Sequence, residues 1–166
     1  AMALADRSTS GIYSSSASIL APTMSMAAMR PSFMISLAFS PDGEEIVGVK
    51  HDLVADYQLV NYKVNDLATE TIIYSPSGEI KEPVFSVDGN FIFFIASQGV
   101  RSIRVPQGTL GPIFHMEGSI NSSASLKTIT PSFNGTLLTG RGEQNEDVYM
   151  FVWRIEDGVQ LKYHHL

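Results

Sequence analysis

The sequence predicts an all-β fold, a partial β-propeller of three four-stranded antiparallel blades plus an incomplete N-terminal blade or strand. Three observations predict it. A turn signature occurs as Phe39-Ser40-Pro41-Asp42-Gly43, Phe85-Ser86-Val87-Asp88-Gly89 and, in weaker form, Pro131-Ser132-Phe133-Asn134-Gly135. Its glycines, Gly43, Gly89 and Gly135, stand 46 residues apart, and a fixed period of this size marks a repeat architecture. Between successive signatures lie short β-prone runs in the number that a four-stranded blade requires.

Each element has its own justification. Asp-Gly and Asn-Gly supply the positive-φ positions of tight hairpins, so each signature joins a first strand to a second. In the first blade these are residues 35–39 and 45–49, followed by a third strand at 59–64 and a fourth at 70–74. The second blade reads 83–85, 91–95, 102–105 and 112–115, and the third reads 126–130, 136–139, 149–153 and 159–163. Residues 91–95 are apolar at every position, which suits a strand buried on both faces. Trp153, the single tryptophan, falls in a third strand and is expected to pack between blades.

The blades therefore span about 32–78, 79–118 and 124–166 of a propeller segment covering 8–166. Residues 8–30, rich in Ser, Ala and Met, would form a partial blade or an interface strand. Residues 1–7 read as a tag or disordered start, because Ala1-Met2-Ala3 has neither the basic start nor the apolar stretch of a signal peptide.

Composition narrows the function. With 166 residues and 44% hydrophobic content the chain can build a real core. Its 11 basic against 17 acidic side chains, a net charge of -6, argue against a phosphate-binding surface, so no nucleic acid partner is expected. The absence of cysteine removes disulfides, thiolate metal sites and cysteine nucleophiles, and it fits a cytoplasmic or nuclear setting. No run approaches the roughly 18 apolar residues of a membrane-spanning helix, so the chain reads as soluble with no membrane partner.

No nucleophile elbow, Gly-rich phosphate loop or His-Glu-x-x-His pattern occurs, and no catalytic residue, cofactor or metal is expected. The histidines are His51, His115, His164 and His165, of which only the last two are adjacent. The charged stretch 141–147 reads as a solvated loop between second and third strands. It lacks the Asp/Asn spacing of a calcium loop but remains a candidate partner contact.

The strand ends carry a family resemblance. Asn65-Asp66 closes the third strand of the first blade, Val105-Pro106 that of the second, and Trp153-Arg154 that of the third. In these positions the chain resembles the WD-repeat β-propellers, with Asp66 in the Asp position and Trp153 in the Trp position. It departs from them at Asn65, at Arg154 and in both residues of the second copy, and no Gly-His pair opens a repeat.

The resemblance implies a non-catalytic protein-interaction scaffold or adaptor. Its partners would touch the loops before first strands and between second and third strands, at His51, Asp52, Arg101, Arg141, Glu143 and Asn145. The Phe-Ser-Pro-Asp-Gly turn is also similar to those of the gating propellers of prolyl oligopeptidases. The alternative is thus the propeller domain of a hydrolase whose catalytic domain lies elsewhere.

Three blades leave two open faces, whereas closed rings take about four to eight. The expectation is that a second copy of the chain, a protein partner or further sequence of a longer protein completes the propeller, the first two as a homo-oligomer or hetero-complex.

Overall fold

Alternation of apolar residues around the three hairpin turns builds three antiparallel meanders. The computed structural model describes residues 32–52, 57–97, 99–117 and 125–166. The expectations for residues 1–7 and 8–30 lie outside these residues.

Blade 1 comprises β1 (Ser32–Phe39), β2 (Glu45–Asp52), β3 (Tyr57–Lys63) and β4 (Asp66–Tyr74). Blade 2 comprises β5 (Ile80–Phe85), β6 (Phe91–Ala96), β7 (Gly99–Arg104) and β8 (Thr109–Phe114). Blade 3 comprises β9 (Ser125–Pro131), β10 (Leu137–Gln144), β11 (Asp147–Arg154) and β12 (Gln160–His165). Each sheet pairs its strands in sequence order. All twelve predicted strands are present, most of them longer than the apolar runs that predicted them.

The turn signature works through its serine and its acid. In blade 1 the Ser40 hydroxyl donates to Asp42 at 2.5 Å, and the Glu45 amide donates back to the Ser40 oxygen at 2.9 Å. Blade 2 repeats this with Ser86, Asp88 and Phe91, and blade 3 with Ser132, Asn134 and Leu137. Gly43, Gly89 and Gly135 follow at φ of 75°, 72° and 71°, the left-handed region that the period had marked for glycine.

The blades stack through two cores, and β6 feeds both. Ile92 and Phe94 point to blade 1, where they meet Val47, Val49 and Leu59. Phe93 and Ile95 point the other way and meet Leu126, Leu138, Phe151 and Trp153 of blade 3. These four consecutive residues are buried, as their uninterrupted apolar run predicted. Trp153 is wholly buried, and its Nε1 donates to the His115 carbonyl oxygen at 2.8 Å, a hydrogen bond that ties blade 3 to the end of β8.

The repeat spacing places Val47, Phe93 and Thr139 at equivalent positions, and likewise Val49, Ile95 and Arg141. Each blade thus has a leading face, toward the preceding blade, and a trailing face, toward the next. In blade 3 the trailing face carries Thr139 and Arg141 where the earlier blades carry Val47 with Val49 and Phe93 with Ile95.

Candidate interaction surface

The β2–β3, β6–β7 and β10–β11 turns share one rim of the stack with the connection from β4 to β5, because every blade runs its strands in the same order. The three Ser-Asp-Gly-type turns occupy the opposite rim. The predicted partner-binding residues belong to the first rim and to the strand ends below it, and they come from all three blades.

Their local settings differ from a set of loops. His51 and Asp52 are the last two residues of β2, paired across the sheet with Phe33 and Ser32. His51 is half-buried and stacks on Tyr57 with ring centroids 4.3 Å apart. Arg101 sits inside β7 opposite Phe94 and Ile113, half-buried on the side that faces blade 1. Residues 141–147 are not the loop expected from their charge. β10 runs through Gln144 and β11 begins at Asp147, so Arg141 and Glu143 are ladder residues on one sheet face.

Only Asn145 and Glu146 form the turn, both at positive φ, 50° and 76°. The physical reason is that a two-residue turn with left-handed backbone matches the strand twist, so pairing extends to the tip whatever the polarity of the side chains. Arg141 and Glu143 are brought together at 2.6 Å, and Lys127 approaches Glu143 at 3.7 Å.

Sequence reasoning missed the recess that this rim contains. Two adjoining hollows of about 160 and 240 Å³ share Glu79, Ala96 and Ser97. The first lies between blades 2 and 3 over Met116 and Leu126, with Lys81 at its edge. The second lies between blades 1 and 2 beneath Tyr74 and is flanked by Arg101. Their linings mix apolar side chains such as Met116, Leu126 and Ile80 with polar ones, among them one acid, Glu79, and two bases, Lys81 and Arg101. A legible signal was the Ser75-Pro76-Ser77-Gly78 run before β5, a turn composition on the rim where first strands begin.

A third recess, about 600 Å³, opens on the opposite rim between blades 1 and 2 beside Asn61, Lys63 and Arg104. The Asn61 Oδ1 atom is buried there without a hydrogen-bond partner. Among the described residues no group of three or more His, Asp or Glu gathers where a metal could be held. Among them, too, no helix is long and apolar enough to cross a membrane.

No protein-family model matches the chain, and no curated protein matches it in sequence. Solved structures do. The chain is similar to a putative TolB from Agrobacterium tumefaciens, at 18% identity and a TM-score of 0.62 over 83% of this chain and 51% of that one. It is also similar to TolB from Acinetobacter baumannii, at 19% identity and a TM-score of 0.58 over 79% of this chain and 31% of that one. At these identities the likeness shows the fold, a partial β-propeller. The chain spans about half of the first of these structures and about a third of the second.

Proposed function

We propose that the chain is a non-catalytic, WD-repeat-like interaction module that binds protein partners through the rim carrying His51, Asp52, Arg101, Arg141, Glu143 and Asn145. The observation that supports it most is the pair of continuous inter-blade cores, which hold turns from three blades in fixed relation around a recessed, mixed-charge cleft. Recognition gains from such rigidity, because groups already in place lose little freedom when a partner binds.

The test compares proteins retained from a source-cell lysate by this chain, immobilised, and by a rim variant, Arg101→Glu with Arg141→Glu and Glu143→Lys. A control, Lys63→Glu, alters the opposite rim. The expected result is at least a tenfold loss of the same retained proteins on the rim variant alone, about 1.4 kcal/mol. Equal retention by both variants would sink the proposal. The hydrolase alternative places its chemistry on a separate domain, and peptide cleavage by a longer form of the protein is the outcome that would favour it.

A further inference from the structure

We infer that Asn134 is a site of covalent modification: when its turn opens, the Gly135 nitrogen closes on the side-chain carboxamide and ammonia is lost, and the turn re-forms around the aspartate that results.

The chain has six asparagines, and Asn134 alone precedes a glycine. The others precede Tyr62, Asp66, Phe91, Ser122 and Glu146, each with a Cβ beside the backbone nitrogen that would attack. Gly135 has none, and no atom beyond its chain neighbours lies within 4 Å of the place where a Cβ would stand. Asn134 is exposed, in a rim turn where the adjacent Phe133 is 94% exposed, so water reaches the carboxamide.

The reaction balances with water alone. The Gly135 nitrogen gives its proton to solvent and bonds to Asn134 Cγ. The bond from Cγ to Nδ2 breaks, and that nitrogen takes a proton from water and leaves as ammonia. Water then opens the five-membered cyclic imide at one of its two carbonyls. Opening at Cγ restores the ordinary backbone with aspartate at 134. Opening at the main-chain carbonyl instead routes the backbone through Cβ, as isoaspartate.

The closed turn keeps both reacting groups off this path. The Gly135 N–H donates to the Ser132 carbonyl oxygen at 2.9 Å. Asn134 Oδ1 accepts from the Ser132 hydroxyl at 2.7 Å, the Thr136 hydroxyl at 2.8 Å and the Thr136 amide at 3.2 Å. Ring closure needs the nitrogen released and the carboxamide free to rotate, so its rate follows the fraction of time that the turn is open.

Blades 1 and 2 show how the turn receives the product. Asp42 accepts from the Ser40 hydroxyl at 2.5 Å and the Glu44 amide at 3.0 Å. Asp88 accepts from the Ser86 hydroxyl at 2.5 Å and the Asn90 amide at 3.1 Å. Gly43 and Gly89 donate to the Ser40 and Ser86 carbonyl oxygens, both at 3.0 Å, as Gly135 does to Ser132. An aspartate at 134 meets the same donors, and its charge strengthens those hydrogen bonds. Isoaspartate inserts a carbon into the backbone before the Gly135 nitrogen and shifts that donor away from the Ser132 carbonyl.

The experiment incubates this chain in neutral and in mildly alkaline buffer and follows every asparagine by peptide mapping with mass spectrometry, resolving aspartate from isoaspartate. Conversion is expected at Asn134 ahead of the other asparagines, faster at the higher pH, and at least about tenfold faster when urea unfolds the chain. Thr136→Val removes one donor and keeps the backbone amide. It should speed conversion about fivefold in the folded chain, the effect of one hydrogen bond on opening, and leave the rate in urea unchanged. Asn134→Asp should keep the wild-type urea midpoint at neutral pH and the hydrogen-exchange protection of the Gly135 amide, which the purified isoaspartate form should lose.

An Asn134 that stays intact, or converts no sooner than the other asparagines, overturns the inference. So does a folded-state rate unmoved by Thr136→Val, and so does a lowered urea midpoint in Asn134→Asp, because the turn then rejects the acid. Should Thr136→Val misfold, Ser132→Ala gives the same reading.

Discussion

At the scale of single residues, the turn signature is a hydrogen-bonding device whose acid is titratable in two copies and neutral in the third. A hydrogen bond from the Ser40 hydroxyl, with help from the Glu44 amide, holds the Asp42 carboxyl below its usual value of 3.8. Ser86 does the same for Asp88, whose partial burial opposes the effect, and Asn90 adds to it. Both groups bind protons less readily folded than unfolded. Their contribution is therefore complete above the unfolded value and is lost as pH falls through the lower folded values. Asn134 accepts from Ser132 and Thr136 in the same geometry without a charge, so the position tolerates an amide. The double variant Asp42→Asn and Asp88→Asn should lose less stability than wild type between pH 7 and pH 3, read as the shift in urea midpoint. An unchanged acid sensitivity would show that these carboxyls do not carry it. The repeat of Ser, Asp or Asn, and Gly was legible in the sequence because each residue type has a backbone task at a fixed offset. The Tyr62 hydroxyl was not legible. Burial, together with its hydrogen bond to Glu70, pushes it up to about 12, and that follows from cross-strand neighbours eight residues apart.

At the scale of elements, β6 is the strand on which both inter-blade cores depend. Its alternation sends Phe94 against Tyr74 of blade 1, with ring centroids 5.5 Å apart. It sends Phe93 edge-on to Phe114 at 5.7 Å, and Phe114 in turn meets Trp153 of blade 3 at 6.3 Å. Truncating a buried Phe to Ala costs about 3–5 kcal/mol, and here the two truncations should act in opposite directions along the stack. Phe94→Ala should lower hydrogen-exchange protection in β2 and β3 first, and Phe93→Ala in β10 and β11. Loss spread evenly over all three blades in both variants would mean that the blades do not unfold as distinguishable units. The strands themselves were readable from apolar runs and turn residues. Their ends were not, because polar residues such as Arg141, Glu143 and Asp147 are carried into the ladder by backbone pairing that does not depend on side-chain polarity. For the same reason His51, Asp52 and Arg101 turned out to be strand residues rather than loop residues.

At the scale of the whole molecule, the outer faces of blades 1 and 3 differ: blade 1 exposes Met34, Leu37, Phe39 and Ile72, whereas blade 3 carries Thr139 and Arg141 at the positions of Val47 and Val49. Replacing Thr139 and Arg141 by the apolar pattern of blade 2, Thr139→Val with Arg141→Ile, should enlarge the exposed apolar surface of blade 3. Light scattering should then find a mass above that of wild type that grows with concentration, since exposed apolar surface promotes association. An unchanged mass would show that charge on blade 3 is not what limits assembly. The period of 46 residues, the four-strand count per blade and the stacking role of Trp153 were all determined by the sequence alone, because they rest on local backbone chemistry and strict alternation. Which face of each blade looks forward or back was decided only by tertiary structure, as were the recess around Glu79 and Ser97 and the contrast between the outer faces of blades 1 and 3. Those depend on how one sheet turns its pleat toward the next, and that rotation is fixed by packing between side chains 40 or more residues apart, such as Phe93 with Phe151, which no local pattern encodes.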